Sequence, residues 1–111
     1  MTILEVETSE EEGLVRLVLR GELDLSTVSK VEEELRRAEA SEPSLLLLDL
    51  SELNFLDSTG LRLIVTTDQR AREGGRRVAV VKGPDAVQRV FAITRLDERL
   101  EMLEKGADPN V

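Results

Sequence analysis

Ser44-Leu45-Leu46-Leu47-Leu48-Asp49-Leu50-Ser51-Glu52-Leu53-Asn54-Phe55-Leu56-Asp57-Ser58-Thr59-Gly60-Leu61 is the stretch from which the rest of the chain can be read. Its first seven residues form an apolar run without alternation, the pattern of a strand covered on both faces in a parallel sheet. Beyond Gly60, the apolar residues Leu61, Ile64, Val65 and Ala71 recur at roughly helical spacing. The stretch therefore predicts strand, loop and helix, with Asp57 to Gly60 where the chain leaves the sheet and the helix starts. A helix start offers free backbone N–H groups and the positive end of the helix dipole, so it accommodates negative charge, including a phosphate on Ser58. The same residues have a plainer use, because Asp and Ser are common N-caps.

Upstream, Ile3 to Thr8 alternates, Ser9 to Gly13 interrupts with charge and a glycine, and Val15, Leu17 and Leu19 resume the alternation. This predicts an antiparallel hairpin whose second strand is the more buried. Gly21 to Leu25 ends that strand, and Ser26 or Thr27 can cap a helix that carries Val28, Val31, Leu35 and Ala38 on one face. Its charges suit i, i+4 pairs, Glu32 with Arg36 and Glu33 with Arg37. Glu42-Pro43 stops it.

Downstream, Gly74-Gly75 supplies the exit from the second helix and Arg77 to Val81 the next strand. Gly83-Pro84-Asp85 turns into an amphipathic segment with Ala86, Val87, Val90, Phe91 and Ile93 as apolar positions. Leu96 to Leu103 fits either a helix, through Leu96, Leu100 and Leu103, or a short edge strand over Leu100 to Leu103. Residues 105–111 are expected to form a flexible tail.

The resulting order, β-β-α-β-α-β-α with room for one more strand, predicts a single α/β domain. Its sheet is mostly parallel, with an antiparallel N-terminal edge strand and packed helices. Parallel strands finish at a common rim. The loop with Asp24, after the second strand, and the loop with Ser58, after the third, therefore open on the same edge.

The composition narrows the chemistry. The 111 residues suffice for one cored domain, and they include neither Cys nor His. Disulfides, thiolate and imidazole catalysis and Cys or His metal sites are excluded within the chain. A formal charge of -8 repels phosphate backbones and anionic lipid, and two aromatics, Phe55 and Phe91, make no base-stacking platform. Neither nucleic acid nor membrane is expected as a partner; a basic protein surface fits better. Met1 to Ser9 lacks the pattern of a signal peptide and Leu45 to Leu48 is far too short to span a bilayer, so a soluble cytoplasmic protein is expected. Asp57-Ser58-Thr59-Gly60 departs from the Asp-Ser/Thr-Gly of aspartic proteases through the extra Thr59 and the order of the elements, and such an enzyme needs a second aspartate facing the first. Nor does Gly60 belong to a phosphate-cradling loop, since no Gly-Lys-Ser/Thr follows.

Taken together, Leu48-Asp49-Leu50-Ser51, Phe55-Leu56 and Asp57-Ser58-Thr59-Gly60-Leu61 resemble the signature of the STAS domain of bacterial anti-sigma-factor antagonists. Gly21-Glu22-Leu23-Asp24-Leu25-Ser26-Thr27 is similar to the family's first loop, and Gly74-Gly75 with its following strand falls in step. The resemblance runs from Ile3 to about Leu103, within a domain placed at residues 1–104. It implies regulation by partner switching. Ser58, in preference to Thr59, is phosphorylated by an anti-sigma factor that is also a serine kinase. The unphosphorylated domain binds that partner and frees the sigma factor, and a serine phosphatase restores the modified form. Asp24, Asp57, Ser58, Thr59 and Gly60 are then partner-binding positions. No catalytic residue, metal or cofactor is implied for this chain, because the ATP belongs to the kinase. After Leu103, where many relatives carry a further helix, that helix is brief or missing here.

Two other readings stay open on the residues. One is a STAS subunit of a stress-signalling scaffold or lipid-transport assembly, acting through protein binding with Ser58 unmodified. The other is a small-molecule-binding domain at the strand rim, against which the scarcity of aromatics and the lack of a glycine-rich cradle argue.

Overall fold

The computed structural model describes residues 3–109. Five strands, β1 (Leu4–Glu11), β2 (Leu14–Leu23), β3 (Leu45–Leu56), β4 (Arg77–Val81) and β5 (Glu101–Leu103), form one sheet in chain order. β1 is antiparallel to β2, and every other pairing is parallel. Three α-helices make the crossovers: α1 (Val28–Ala40), α2 (Ser58–Glu73) and α3 (Asp85–Ile93). Because the strands follow chain order and parallel crossovers are right-handed, all three helices fall on one face. The expected α/β domain with its antiparallel N-terminal edge is observed.

The main core lies between that face and the helices. It joins Val15, Leu17 and Leu19 of β2, Leu46, Leu48 and Leu50 of β3, and Val78 and Val80 of β4 to Val31 and Leu35, Leu61 and Ile64, and Val87 and Phe91 of the helices. A smaller cluster on the opposite face, Leu45, Leu47, Ala79 and Val81, shows why the run in β3 does not alternate: both its faces are buried. In α3 only Val87 and Phe91 are buried and Val90 is half-buried, whereas Ala86 and Ile93, expected on the apolar side, are exposed.

β3 is longer than its apolar run. Its pairing with β2 has two irregularities, between Val18 and Arg20 and between Gly21 and Glu22, and at each β3 carries an extra residue. Each bulge shifts the side-chain alternation by one. Leu50, Leu53 and Leu56, three apart in sequence, therefore all reach the helix-covered core, and the strand continues to the residue before Asp57. The loop expected between strand and helix is not there: Asp57 alone joins β3 to α2. Gly21, beside the second irregularity, has a φ of 112°, and a Cβ there would lie 2.3 Å from the Ile3 carbonyl oxygen on the β1 side.

In the ambiguous stretch after α3 the edge-strand reading holds, and no α-helix runs from Leu96 to Leu103. A single 3-10 turn, Leu96–Glu98, precedes the edge strand β5. No helix follows β5 among the described residues. Ala107 N–H donates to the Glu104 carbonyl, Arg77 Nη2 reaches the Pro109 carbonyl, and Pro109 is buried.

Candidate functional site

The C-terminal ends of β2 and β3 are adjacent, with Leu23 opposite Leu56, so the segments that follow them emerge side by side. From β2 the chain enters Asp24-Leu25-Ser26-Thr27 and then α1; from β3 it enters Asp57 and then α2. The two are joined at three points. Asp57 N–H donates to the Leu23 carbonyl at 3.2 Å, and Leu25 N–H donates to Asp57 Oδ2 at 3.2 Å. Gly60 provides the third through packing. A Cβ on this buried residue would lie 2.6 Å from Leu23 Cγ and 2.8 Å from Leu56 Cδ1, so only a glycine lets α2 approach the strand ends this closely.

Asp57 is the N-cap of α2. Its backbone is extended, and Oδ1 accepts from Thr59 N–H at 2.9 Å and Gly60 N–H at 3.0 Å, two of the donors a helix start leaves unpaired. Its other oxygen holds Leu25. One carboxylate thus fixes both the start of the helix and the neighbouring loop. Ser58, the first residue of α2, is exposed, while Thr59 is half-buried. Among the described residues the Ser58 hydroxyl takes part in no hydrogen bond.

The other loop is organised around Asp24. Its Oδ1 accepts from the Ser26 N–H at 2.9 Å and the Ser26 hydroxyl at 2.7 Å. The Ser26 hydroxyl is the largest influence holding this carboxyl below its ordinary range, opposed by desolvation and assisted by the Ser26 N–H. Thr27 precedes α1 but makes no side-chain cap bond to it, contrary to the expected use of Ser26 or Thr27. Its buried hydroxyl donates instead to the Glu22 carbonyl at 2.8 Å and accepts from Asp24 N–H at 3.0 Å. Of the expected charge pairs on α1, Glu32–Arg36 forms at 3.9 Å, whereas Arg37 turns to Glu34, three residues away, at 2.9 Å.

The structure therefore brings Asp24, Asp57 and Ser58 to one rim, with Thr59 half-covered and Gly60 beneath it. The sequence reading passed over Leu25, which is 75% exposed between two polar residues of a tightly bonded loop. An apolar residue inside an Asp-x-Ser turn was the available signal.

A mostly parallel sheet in this strand order, with a strand–helix junction presenting Asp and Ser at its rim, defines a small α/β domain, and its family is shown directly. Residues 5–107 match the STAS domain, and the chain belongs to that family. Its relatives are consistent in kind. The anti-sigma-F factor antagonist RsfB of Mycobacterium tuberculosis is 28% identical over 97 residues, covering 87% of this chain and 79% of that one. The anti-sigma-B factor antagonist of Staphylococcus aureus is 28% identical over 101 residues, covering 91% and 94%. Among solved structures, an anti-sigma factor antagonist from Mycobacterium paratuberculosis superposes with a TM-score of 0.82 at 25% identity, covering 90% of this chain and 85% of that one. No helix among the described residues is long and apolar enough to cross a membrane.

Proposed function

We propose that this chain is a cytoplasmic anti-sigma-factor antagonist that works by binding, without catalysis or a cofactor of its own. Unphosphorylated, it binds an anti-sigma factor with serine kinase activity and so releases a sigma factor; phosphorylation of Ser58 ends the interaction, and a serine phosphatase reverses it. The observation that carries this reading is the state of Ser58, an exposed hydroxyl without internal bonds at the rim of a hydrogen-bonded strand–helix junction. The names of the relatives supply the class of partner.

The chemistry of the switch follows from charge. A phosphate on Ser58 adds about -1.5 to -2 charges beside Asp57, on a surface that already carries Asp24. Because Ser58 is exposed, the fold absorbs the group with little movement; the helix dipole favours a negative charge there, while the Thr59 and Gly60 N–H groups stay with Asp57. A docked partner is affected differently. It must desolvate the phosphate, and any facing acid is repelled, at a cost of up to several kcal/mol. Asp24 and Asp57 serve as the acidic contacts for a basic partner surface in the unmodified state.

Incubation with the cognate anti-sigma kinase, ATP and Mg²⁺, followed by peptide mass spectrometry, tests the site. One phosphate on Ser58 is expected, absent from Ser58→Ala. Modification of Thr59 alone would move the site by one residue, and no modification by a kinase that binds the chain would favour the unmodified scaffold reading.

A further inference from the structure

Among the described residues four large apolar side chains are exposed: Ile3, Leu25, Phe55 and Ile93. Single exposed apolar residues are ordinary on protein surfaces, and Ile93 is one. The other three share a location. The Ile3 carbonyl accepts from Glu22 N–H, Glu22 pairs with Phe55 across β2 and β3, and Leu25 bonds to Asp57 two residues beyond Phe55. All three stand at the rim that presents Ser58.

Leu25 differs from its two neighbours in how it is held. Its own N–H is bonded to Asp57 Oδ2, the next residue's N–H and hydroxyl are bonded to Asp24, and Thr27 and Val28 N–H both return to the Asp24 carbonyl. A side chain that is 75% exposed on a backbone so fully bonded has little backbone freedom left to lose on binding, which is the condition for an efficient interface anchor. Two carboxylates flank it, that of Asp57 on its own N–H and that of Asp24 on the N–H and hydroxyl of Ser26, on a chain of formal charge -8. An apolar anchor flanked by acids is complementary to an apolar pocket with Lys or Arg at its edge.

We propose that Leu25 is the central apolar anchor for the anti-sigma factor, seated in a pocket with a basic rim, and that Asp57 is the residue that positions it. The proposal rests on the function proposed above and specifies which side chain supplies the binding energy. It also joins anchor to switch: the carboxylate that holds Leu25 is the immediate neighbour of the phosphorylated serine.

Titration calorimetry of the unphosphorylated protein against the anti-sigma factor from the same cell tests both parts. Leu25→Ala is expected to weaken binding at least tenfold and Leu25→Met to restore most of it, while the Ile93→Ala control stays within twofold of wild type; melting temperatures should coincide. Asp57→Asn retains an oxygen for the helix start but offers an amide to the Leu25 N–H. Its Leu25 amide should exchange hydrogen faster than in wild type, and binding should fall, with the amides of Thr59 and Gly60 still protected. Wild-type binding with Leu25→Ala within twofold, or equal losses for Leu25→Ala and Ile93→Ala, would overturn the anchor and leave the proposed function standing. A wild-type protein that binds no anti-sigma factor overturns both. Unchanged exchange at Leu25 in Asp57→Asn would remove the positioning role.

Discussion

α1 and α2 start at the same rim from similar residues, Asp24-Leu25-Ser26-Thr27 and Asp57-Ser58-Thr59-Gly60, yet their hydroxyls have opposite fates. Ahead of α1, Ser26 Oγ is bonded to Asp24 and Thr27 Oγ1 to the Glu22 carbonyl and Asp24 N–H. At α2 the Asp57 carboxylate takes over the capping, so the Ser58 hydroxyl is left exposed and free of internal bonds. A serine is available for modification when a neighbour already does its structural work. In both loops the aspartate accepts the N–H two residues on; what distinguishes them is whether the hydroxyls are drawn into the loop's own bonds, as those of Ser26 and Thr27 are, or left out, as that of Ser58 is.

The largest expected effect lies on the α1 side. Thr27→Val keeps the shape but leaves Asp24 N–H and the Glu22 carbonyl without their partner, and should cost about 1–3 kcal/mol in chemical denaturation. Asp57→Ala removes the acceptor of two helix N–H groups and should cost about 0.5–2 kcal/mol by the same measurement. Ser58→Ala should change stability by no more than about 0.5 kcal/mol, since no internal bond is lost. If Ser58→Ala proved as damaging as Thr27→Val, the contrast between the two helix starts would collapse.

A subtler effect is expected with pH. The Asp24 carboxyl is held below its ordinary range, chiefly by the Ser26 hydroxyl, so the folded state favours its ionised form. Its stabilisation is present above the unfolded-state value, about 3.9 for a free aspartate, and is lost as pH falls through the lower folded value. Melting curves of wild type and Asp24→Asn should therefore differ by a constant amount from about pH 5 upward and converge in stronger acid. A gap that widened as pH fell would contradict the assigned role of Ser26.

Much of the fold was legible because local patterns and global architecture agree. The unbroken Leu45 to Leu48 run, the hairpin alternation and the Gly-Gly exit each predict the element that forms. The end of β3 was not legible, because bulges turn a spacing of two into a spacing of three, and Leu50, Leu53 and Leu56 then resemble neither strand nor helix. At the site, the meeting of Asp24, Asp57 and Ser58 followed from parallel topology alone. The Asp57–Leu25 bond did not, because it joins residues 32 apart in sequence and depends on how closely Gly60 lets α2 approach β2 and β3. The same limit applied to Thr27, whose sequence position suggests a cap while its hydroxyl is used to fold the loop.

The central claim is that phosphorylation of Ser58 acts locally, adding charge to a docking surface without disturbing the fold beneath it. Titration calorimetry of unmodified and Ser58-phosphorylated protein against one preparation of the anti-sigma factor, with melting curves of both forms, tests it most directly. Tight binding by the unmodified protein is expected, with a loss of up to about a thousandfold on phosphorylation at nearly the same melting temperature. Equal affinity of the two forms would contradict the switch, and a phosphorylated form that fails to bind only because it has unfolded would contradict its local nature.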